Sequence, residues 1–563
     1  MNSHQVDLLV IGGGAAGMTA ALTAKRAGLN VCLCEKAPYV GGITATSGGT
    51  TWVPGTHLSN AAGVPDRVED AQTFLQHVCQ GRPGDDMRTA FLQSGPQMIA
   101  ELDAHTDVKF VAATAHPDYI GNLPGEAFGG RALAPLPFEG SILGAEFDRV
   151  RPPRREFMGL GGMMVNRNEL DALLNPLRST ANLKTTLKVV LPYFKSRLRF
   201  KRGTRLVMGN ALVGRLYYSL LKHQVPVWFE SPLHSLIVEN GKVVGAMIER
   251  EGKTVAVRAA KGVVLATGGV GHNLALRQQY FPAGTPDSYA PESHNADGIS
   301  AAHSIGAALD NTEHPALWFP TSYQTLPDGY RAMWPHIILD RAKPGLLAVL
   351  GDGKRFVNES NSYHDFSSAQ IARSENGKLP TAYLIVDDDF IHRYGLGFIM
   401  PGGKKLAHFL RTGYLKRADN LAELAKQCDI DAGTLQQTVA RYNQLAAQGE
   451  DSDFHRGSSA MNRFNGDAAV QPNPCLRPLS PSGPYYALPV RPADLASSLG
   501  LACNPFGQVL NTSGEPIDGL FACGNDLASI FKGTYPGPGT TIGPGMVFGW
   551  RIAKFAAGQL KPV

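Results

Sequence analysis

Short apolar runs that stop at glycine set the rhythm of this chain. VDLLVI, Val6 to Ile11, is apolar but for Asp7 and ends at Gly12. So short and continuous a run predicts a parallel strand covered on both faces. An alanine-rich stretch follows at once and predicts a helix, and Asn30 to Cys34 predicts a second strand ending at Glu35. KGVVLATGG, Lys261 to Gly269, and GEPIDGLFACGN, Gly514 to Asn525, repeat the strand-then-glycine pattern far downstream. In IVENGKVVGAMI, Asn240-Gly241 suits the type I′ turn of a hairpin. AELAKQCDIDAGTLQQTVARYNQLAAQG, Ala422 to Gly449, predicts helices. The class is α/β.

The first glycines carry the first chemistry. Gly12, Gly14 and Gly17 fall on G-x-G-x-x-G between strand and helix. Gly12 allows the tight turn, Gly14 lets backbone approach a pyrophosphate, and Gly17 lets helix and strand pack closely. Ala15 and Ala16 open the helix, whose N-terminal amides and partial positive charge suit phosphates. Glu35, at the end of the second strand, accepts from both ribose hydroxyls and repels a 2′-phosphate. Strand, glycines, helix and acid together point to a dinucleotide. A second such unit is absent from the sequence, which argues against a separate NAD(P)H domain.

Composition narrows the class further. The 563 residues are 43% hydrophobic and 18% charged, as in compact folded proteins, and long enough for more than one domain. A net charge of +5 over that length points to no nucleic-acid partner. The seven cysteines show no CxxC or His-paired zinc spacing, so no metal is expected and the thiols suit a reducing compartment. Neither a signal peptide nor an apolar run of about 18 residues is evident, and a cytoplasmic protein is expected.

Beyond Glu35-Lys36 come Gly41-Gly42 and the small residues Thr46, Ser47, Gly48 and Gly49. This continuation resembles FAD enzymes of the fumarate reductase and ketosteroid dehydrogenase superfamily. The resemblance implies that Ala266, Thr267 and Gly268 lie beside the adenosine, and that Gly524 and Asn525 meet the ribityl and phosphate groups. It also brings Gly539, Thr541 and Ile542 to the flavin. ITATSGG holds no histidine at the attachment point of the respiratory fumarate reductases, so non-covalent FAD is expected. The implied fold is a split Rossmann-like FAD-binding domain with an inserted α+β catalytic (capping) domain. Residues 1–285 form its first part, 286–479 the catalytic domain and 480–563 the second FAD part.

LAVLGDGKRFVNESNSYHDF resembles the superfamily's G-x-R-F-x-N-E segment, in which fumarate reductases place a proton-donating arginine five residues past the asparagine. Here that position is Tyr363. The late loop GTYPGPGTTIGPG, residues 533–545, also lacks a basic residue, so a dicarboxylate finds no cation and a neutral substrate fits better. Tyr363 with Tyr535-Pro536-Gly537-Pro538-Gly539, and Tyr119 ahead of a proline-glycine turn, resembles the 3-ketosteroid Δ1-dehydrogenases. That resemblance implies Tyr363 as base for the C2 proton, Tyr119 as its helper, and Tyr535 with Gly539 as the grip on a C3 carbonyl. The partners implied are a 3-keto-4-ene steroid and a quinone or other electron acceptor. Ser497 to Gly500 departs from the family's threonine-x-glycine-glycine, with Leu499 at the first glycine position. Tyr485 and Tyr486 match a strand that packs near the flavin and receive no catalytic role. A Δ4-(5α)-dehydrogenase, a related cyclic-ketone dehydrogenase and a non-catalytic flavin sensor are the alternatives.

An insertion at about residues 150–210 stands apart. Every charged residue from Lys184 to Arg205 is basic, with Val189, Val190, Leu191, Phe194, Leu198 and Phe200 interleaved. One reading is a solvated helical hairpin with a charged outer face. The other is peripheral contact with anionic lipid on the inner face of the membrane.

Overall fold

A computed structural model describes residues 3–310, 314–337 and 340–560. The first of its two larger sheets has eight strands and grows around Ser3–Ile11. That strand lies parallel between Val31–Cys34 and the long strand Lys253–Leu265. Leu8, Leu9, Val10 and Ile11 are all buried, as a strand covered on both faces requires. The long strand changes partner along its length. Its first half pairs antiparallel with Lys242–Arg250, and its last residues pair parallel with Pro516–Ala522. Asn240 and Gly241 both take positive φ in the hairpin that precedes it, as the I′ turn demands.

The helix Ala15–Arg26 packs on the late helix Ile542–Ala556 through small residues. A Cβ on Gly549 would lie 2.5 Å from the Ala16 carbonyl oxygen, so the two backbones approach only over glycine. The dinucleotide motif and the glycine-proline loop are thereby held together from opposite ends of the sequence.

The second larger sheet is antiparallel and has six strands. Its order is Arg331–Pro335, Ala316–Thr325, Tyr485–Ser497, Ala382–Asp387, Leu346–Val349, with Lys416–Ala418 also paired to Tyr485–Ser497. Residues 485–497 therefore belong here. The chain regains the first sheet through Gln508–Leu510 and Pro516–Ala522. A strand of 13 residues serves several neighbours in the second sheet before its end reaches the cofactor side. The helices Leu421–Cys428 and Ala432–Gln448 cover this sheet. The insertion carries the helices Arg167–Leu174 and Thr180–Arg197, with a small core of Met163, Val189 and Tyr193.

Candidate active site

One cavity of about 770 Å3 runs from the first sheet to the second. At its first end the strand–turn–helix motif lies open. Gly12 has φ 112°, and a Cβ there would sit 2.0 Å from the Ala266 carbonyl oxygen. Above Gly14 the Cβ direction meets nothing within 4 Å, so backbone faces open space. Gly14 is also the N-cap of Ala15–Arg26, without a side-chain cap and without an acid in the first turn. The helix's unpaired amides and positive end are thus available to a pyrophosphate.

Glu35 is buried in the same wall. Its Oε2 accepts from Gly13 N–H at 2.7 Å and its Oε1 from Ala37 N–H at 2.7 Å. Burial pushes its carboxyl up, while those two amides pull it back. Each oxygen keeps a lone pair for a ribose hydroxyl. Lys36 pairs with Asp297 at 2.8 Å on the same side. Asp526 ties the next strand end down, accepting from Thr267 N–H and from Gly269 N–H at 2.9 Å. FAD fits this cradle: open glycine backbone, an uncapped helix end and a buried acid are what its adenosine diphosphate half needs. His294 adds a further sign, since its Nδ1 is buried here without a hydrogen-bond partner. Burial holds that imidazole neutral, down to about 3.

At the other end three phenols meet. Tyr363 O–H donates to the Tyr535 hydroxyl at 3.0 Å, and Tyr119 O–H reaches the Tyr363 hydroxyl at 3.5 Å. The three rings lie 5.4 to 5.5 Å apart, centroid to centroid. All three are nearly fully buried, and desolvation pushes each phenol above its ordinary range. Tyr363 is the first residue of the helix Tyr363–Ile371, capped by Ser362 Oγ accepting from Asp365 N–H. Tyr535 comes from the glycine-proline loop, and Gly539 shares the cavity wall with it.

The loop owes its shape to what stands behind it. A Cβ on Gly539 would sit 2.2 Å from the Thr50 carbonyl oxygen, and one on Gly537 2.5 Å from Trp52 Nε1. Trp52 N–H donates to Gly539 O at 3.2 Å, and Tyr119 N–H to Pro536 O at 2.7 Å. Trp52 Nε1–H donates to Asp118, which Arg131 holds at 2.6 Å. Burial still lifts Asp118 to about 6 despite that partner. His364 pins the other flank: Nδ1 accepts from Trp318 N–H at 3.1 Å and Nε2–H donates to Gly533 O at 3.0 Å.

Most residues singled out in the sequence line this cavity: Gly12, Gly14, Ala15, Ala16, Glu35, Lys36, Gly42, Thr46 to Gly49, Ala266 to Gly268, Gly524, Asn525, Thr541 and Ile542. Gly17 and Gly41 are not in its lining. A Cβ on Gly17 would meet the Gly12 carbonyl oxygen and one on Gly41 would meet Ala45 and Val213, so both positions are closely packed. Tyr485 and Tyr486 sit at the far end of their strand, bonded to Ser480 O and Asp388, while Leu495 and Ala496 of that strand reach the cavity. Leu499 is fully buried. Sequence reasoning missed His294, Asp526, Trp52, Asp118 and Arg131. Only the SHNADG stretch around His294, close to the expected start of the catalytic domain at residue 286, carried a usable signal.

The FAD binding domain family matches residues 7–542. The chain is 35% identical to the 3-oxosteroid 1-dehydrogenase of Mycobacterium tuberculosis, covering 99% of each chain. It is 36% identical to the 4-oxocyclohex-2-ene-1-carboxylate 5-dehydrogenase of Sinomonas cyclohexanicum, covering 98% of this chain and 93% of that one. Among solved structures, the 3-ketosteroid Δ1-dehydrogenase of Sterolibacterium denitrificans, in complex with 1,4-androstadiene-3,17-dione, matches with a TM-score of 0.90 at 34% identity. That match covers 99% of this chain and 100% of the other. The chain is an FAD-dependent oxidoreductase of the fumarate reductase superfamily. Within that class it belongs to the 3-ketosteroid Δ1-dehydrogenase family.

Proposed function

We propose that this chain removes hydrogens from C1 and C2 of a 3-keto-4-ene steroid during steroid breakdown, and passes the electrons to a quinone or another transient acceptor. The observation that carries the reading is the meeting of Tyr119, Tyr363 and Tyr535 beside Gly539, in the cavity that also holds the FAD cradle. Tyr535 O–H and Gly539 N–H donate to the C3 carbonyl and stabilise the enolate as it forms; one such donor is worth about 3 kcal/mol. Tyr363 takes the C2 proton on its phenolic oxygen. For that, its bond to Tyr535 opens as Tyr535 turns to the ketone. Tyr119 then remains as its hydroxyl partner and eases its ionisation by donating to it. Bound non-covalently, FAD supplies the acceptor for the hydride that leaves C1.

The substrate end of the wall supports a large apolar molecule: Phe157, Met158, Phe319, Trp334, Ile337 and Met400 line it. A small cyclic keto acid is the second reading, because a relative named for such a substrate matches over nearly the whole chain. Charge argues against it. Lys36 and Arg151 line the cavity, but Lys36 is paired with Asp297, and Arg151 stacks on Tyr39 and acts on Glu35. Arg154, near the ketone end, is paired with Glu156 at 3.0 Å. Anaerobic addition of 4-androstene-3,17-dione tests both readings. Bleaching of the yellow flavin band, with a product carrying a 1,2 double bond by mass and NMR, is the expected result. An unchanged band with bound steroid, or bleaching by 4-oxocyclohexanecarboxylate alone, overturns it.

The insertion extends the proposal to a peripheral contact with anionic membrane on the cytoplasmic side. Among the described residues no helix is long and apolar enough to cross a membrane. Instead Leu183, Leu187, Leu191, Phe194 and Leu198 recur at helical spacing and are all exposed, Leu198 to 89%. Lys184, Lys188, Lys195, Arg197 and Arg199 are exposed among them. The outer face is thus apolar as well as charged. Arg202 and Arg205 leave the group, bonded inward to Asn210 and Glu169. Met158, Met164, Val165 and Leu170 of the insertion line the cavity, so an apolar substrate has a short way in from such a surface.

A further inference from the structure

A base made of phenol needs something positive nearby, and the three tyrosines do not supply it. At rest, with Tyr363 donating to Tyr535, burial and both neighbouring phenols raise Tyr363. A candidate lies behind the wall. Arg341 is 2% exposed. Its Nε donates to His336 O at 2.7 Å, Nη1 to Glu359 O at 2.8 Å and Asn361 O at 3.3 Å, and Nη2 to Asn361 O at 3.3 Å and Ile337 O at 3.4 Å. Its guanidinium lies over the Phe366 ring, 4.9 Å from the centroid.

These partners fix both its place and its charge. Glu359 and Asn361 belong to the turn that leads into the helix Tyr363–Ile371, and Phe366 is in that helix's first turn. The guanidinium therefore stands at the helix's N-terminal end, where aligned peptide dipoles are already positive. Its acceptors are backbone carbonyls, which solvate the cation; the neighbouring carboxylate Asp340 acts on it most strongly but bonds His336 rather than the guanidinium. Arg355, by contrast, is neutralised by Glu359 and Asp451 at 2.7 Å each. Burial lowers Arg341 to about 10, which leaves it protonated in the working range.

We propose that Arg341 is a positioning residue for the dehydrogenation: its locked cation, added to the helix N-terminus, biases Tyr363 toward phenolate and the bound ketone toward enolate. Other charges face the pair. Asp340 is bonded to His336 at 2.6 Å, Glu359 to Arg355, and Asp118 to Arg131. Arg456 is bonded to Glu359 at 3.3 Å, and His364 is held neutral, down to about 3. Asp365 is the opposing anion on the helix itself; burial raises it to about 6, so it is charged above that pH. Arg341 also acts favourably on ionised Tyr119.

This inference rests on the dehydrogenase reading, and its test separates the two. The pH dependence of flavin bleaching by 4-androstene-3,17-dione is measured for wild type, Arg341→Gln, Arg341→Lys and Asp365→Asn. In Arg341→Gln the rising limb moves up by about one pH unit, about tenfold in rate at a fixed pH below it. Lysine restores most of that shift, and Asp365→Asn moves the limb down. Estrone, whose A-ring phenol mimics the enolate, binds Arg341→Gln about tenfold more weakly while 1,4-androstadiene-3,17-dione, a ketone that already carries the 1,2 double bond, binds as before. A limb that stays in place, or equal weakening of both steroids, overturns the proposal. If Arg341→Gln does not fold, an unmoved limb in Asp365→Asn does the same. A wild type that no steroid bleaches sinks the dehydrogenase reading instead.

Discussion

The two ends of the cavity are made of different material. The cofactor end is mostly backbone: open glycines, amides at a helix start, and one carboxylate held by two amides. The ketone end is mostly side chain: three phenols drawn from positions 119, 363 and 535, backed by Asp118, Arg131 and His364. A backbone site binds what every FAD protein binds and needs space above all. A side-chain site performs one reaction and needs particular groups at particular distances. A wrong Cβ should therefore destroy the first end, while a lost hydroxyl should slow the second and leave its binding intact.

Gly12→Val gives the largest effect. Its side chain would start 2.0 Å from the Ala266 carbonyl oxygen at a φ of 112°, which disfavours any L side chain. The purified variant is expected to carry no flavin in its visible spectrum and to show no turnover. Retention of a full yellow band would break the comparison at its first end. Tyr363→Phe comes next. It should keep flavin and bind steroid normally while turnover falls by about 10²- to 10⁴-fold, the range for a lost general base. Near-normal turnover removes Tyr363 from its role.

The same contrast explains what could be read from the chain beforehand. The cradle's demands fall on neighbouring residues, so Gly12, Gly14, Gly17 and Glu35 were legible from spacing alone. Tyr119, Tyr363 and Tyr535 have no spacing that relates them, and only the family resemblance brought them together. Arg341 and Asp118 were illegible, because each acquires meaning from partners far away in sequence. The strand Tyr485–Ser497 pairs along its length in the second sheet while its end touches the cofactor side, a division of roles that a boundary in the sequence does not express. In the insertion the sequence showed Leu191, Phe194 and Leu198 among the basic residues, but not that they join Leu183 and Leu187 in one exposed helical stripe, which only the fold reveals.

A smaller effect, on stability, should appear with pH at the ketone end. His364 is buried between two backbone groups as a neutral imidazole, and desolvation lowers it to about 3. An unfolded chain protonates it at about 6.5. Its folded value is thus depressed, so stability is lost as pH falls from about 6.5 toward about 3, by up to about 1.4 kcal/mol per pH unit. His364→Gln should flatten that part of the melting-temperature curve against pH. An unchanged slope would mean that other groups, such as His294, set the acid limit.

The smallest effect on catalysis should come from the insertion, although its effect elsewhere is large. Leu191→Ser with Leu198→Ser changes side chains that are 61% and 89% exposed, so folding and turnover of dissolved steroid should stay as they are. Partition onto vesicles should not. A leucine fully withdrawn from water contributes about 1.5–3 kcal/mol and each basic residue near an anionic surface about 1 kcal/mol. The two contributions separate by salt, which screens the second and leaves the first. Wild type on phosphatidylglycerol vesicles should therefore lose part of its binding as salt rises, and the double variant nearly all of it. Equal binding of the two proteins at every salt concentration would assign the leucine stripe to something other than lipid.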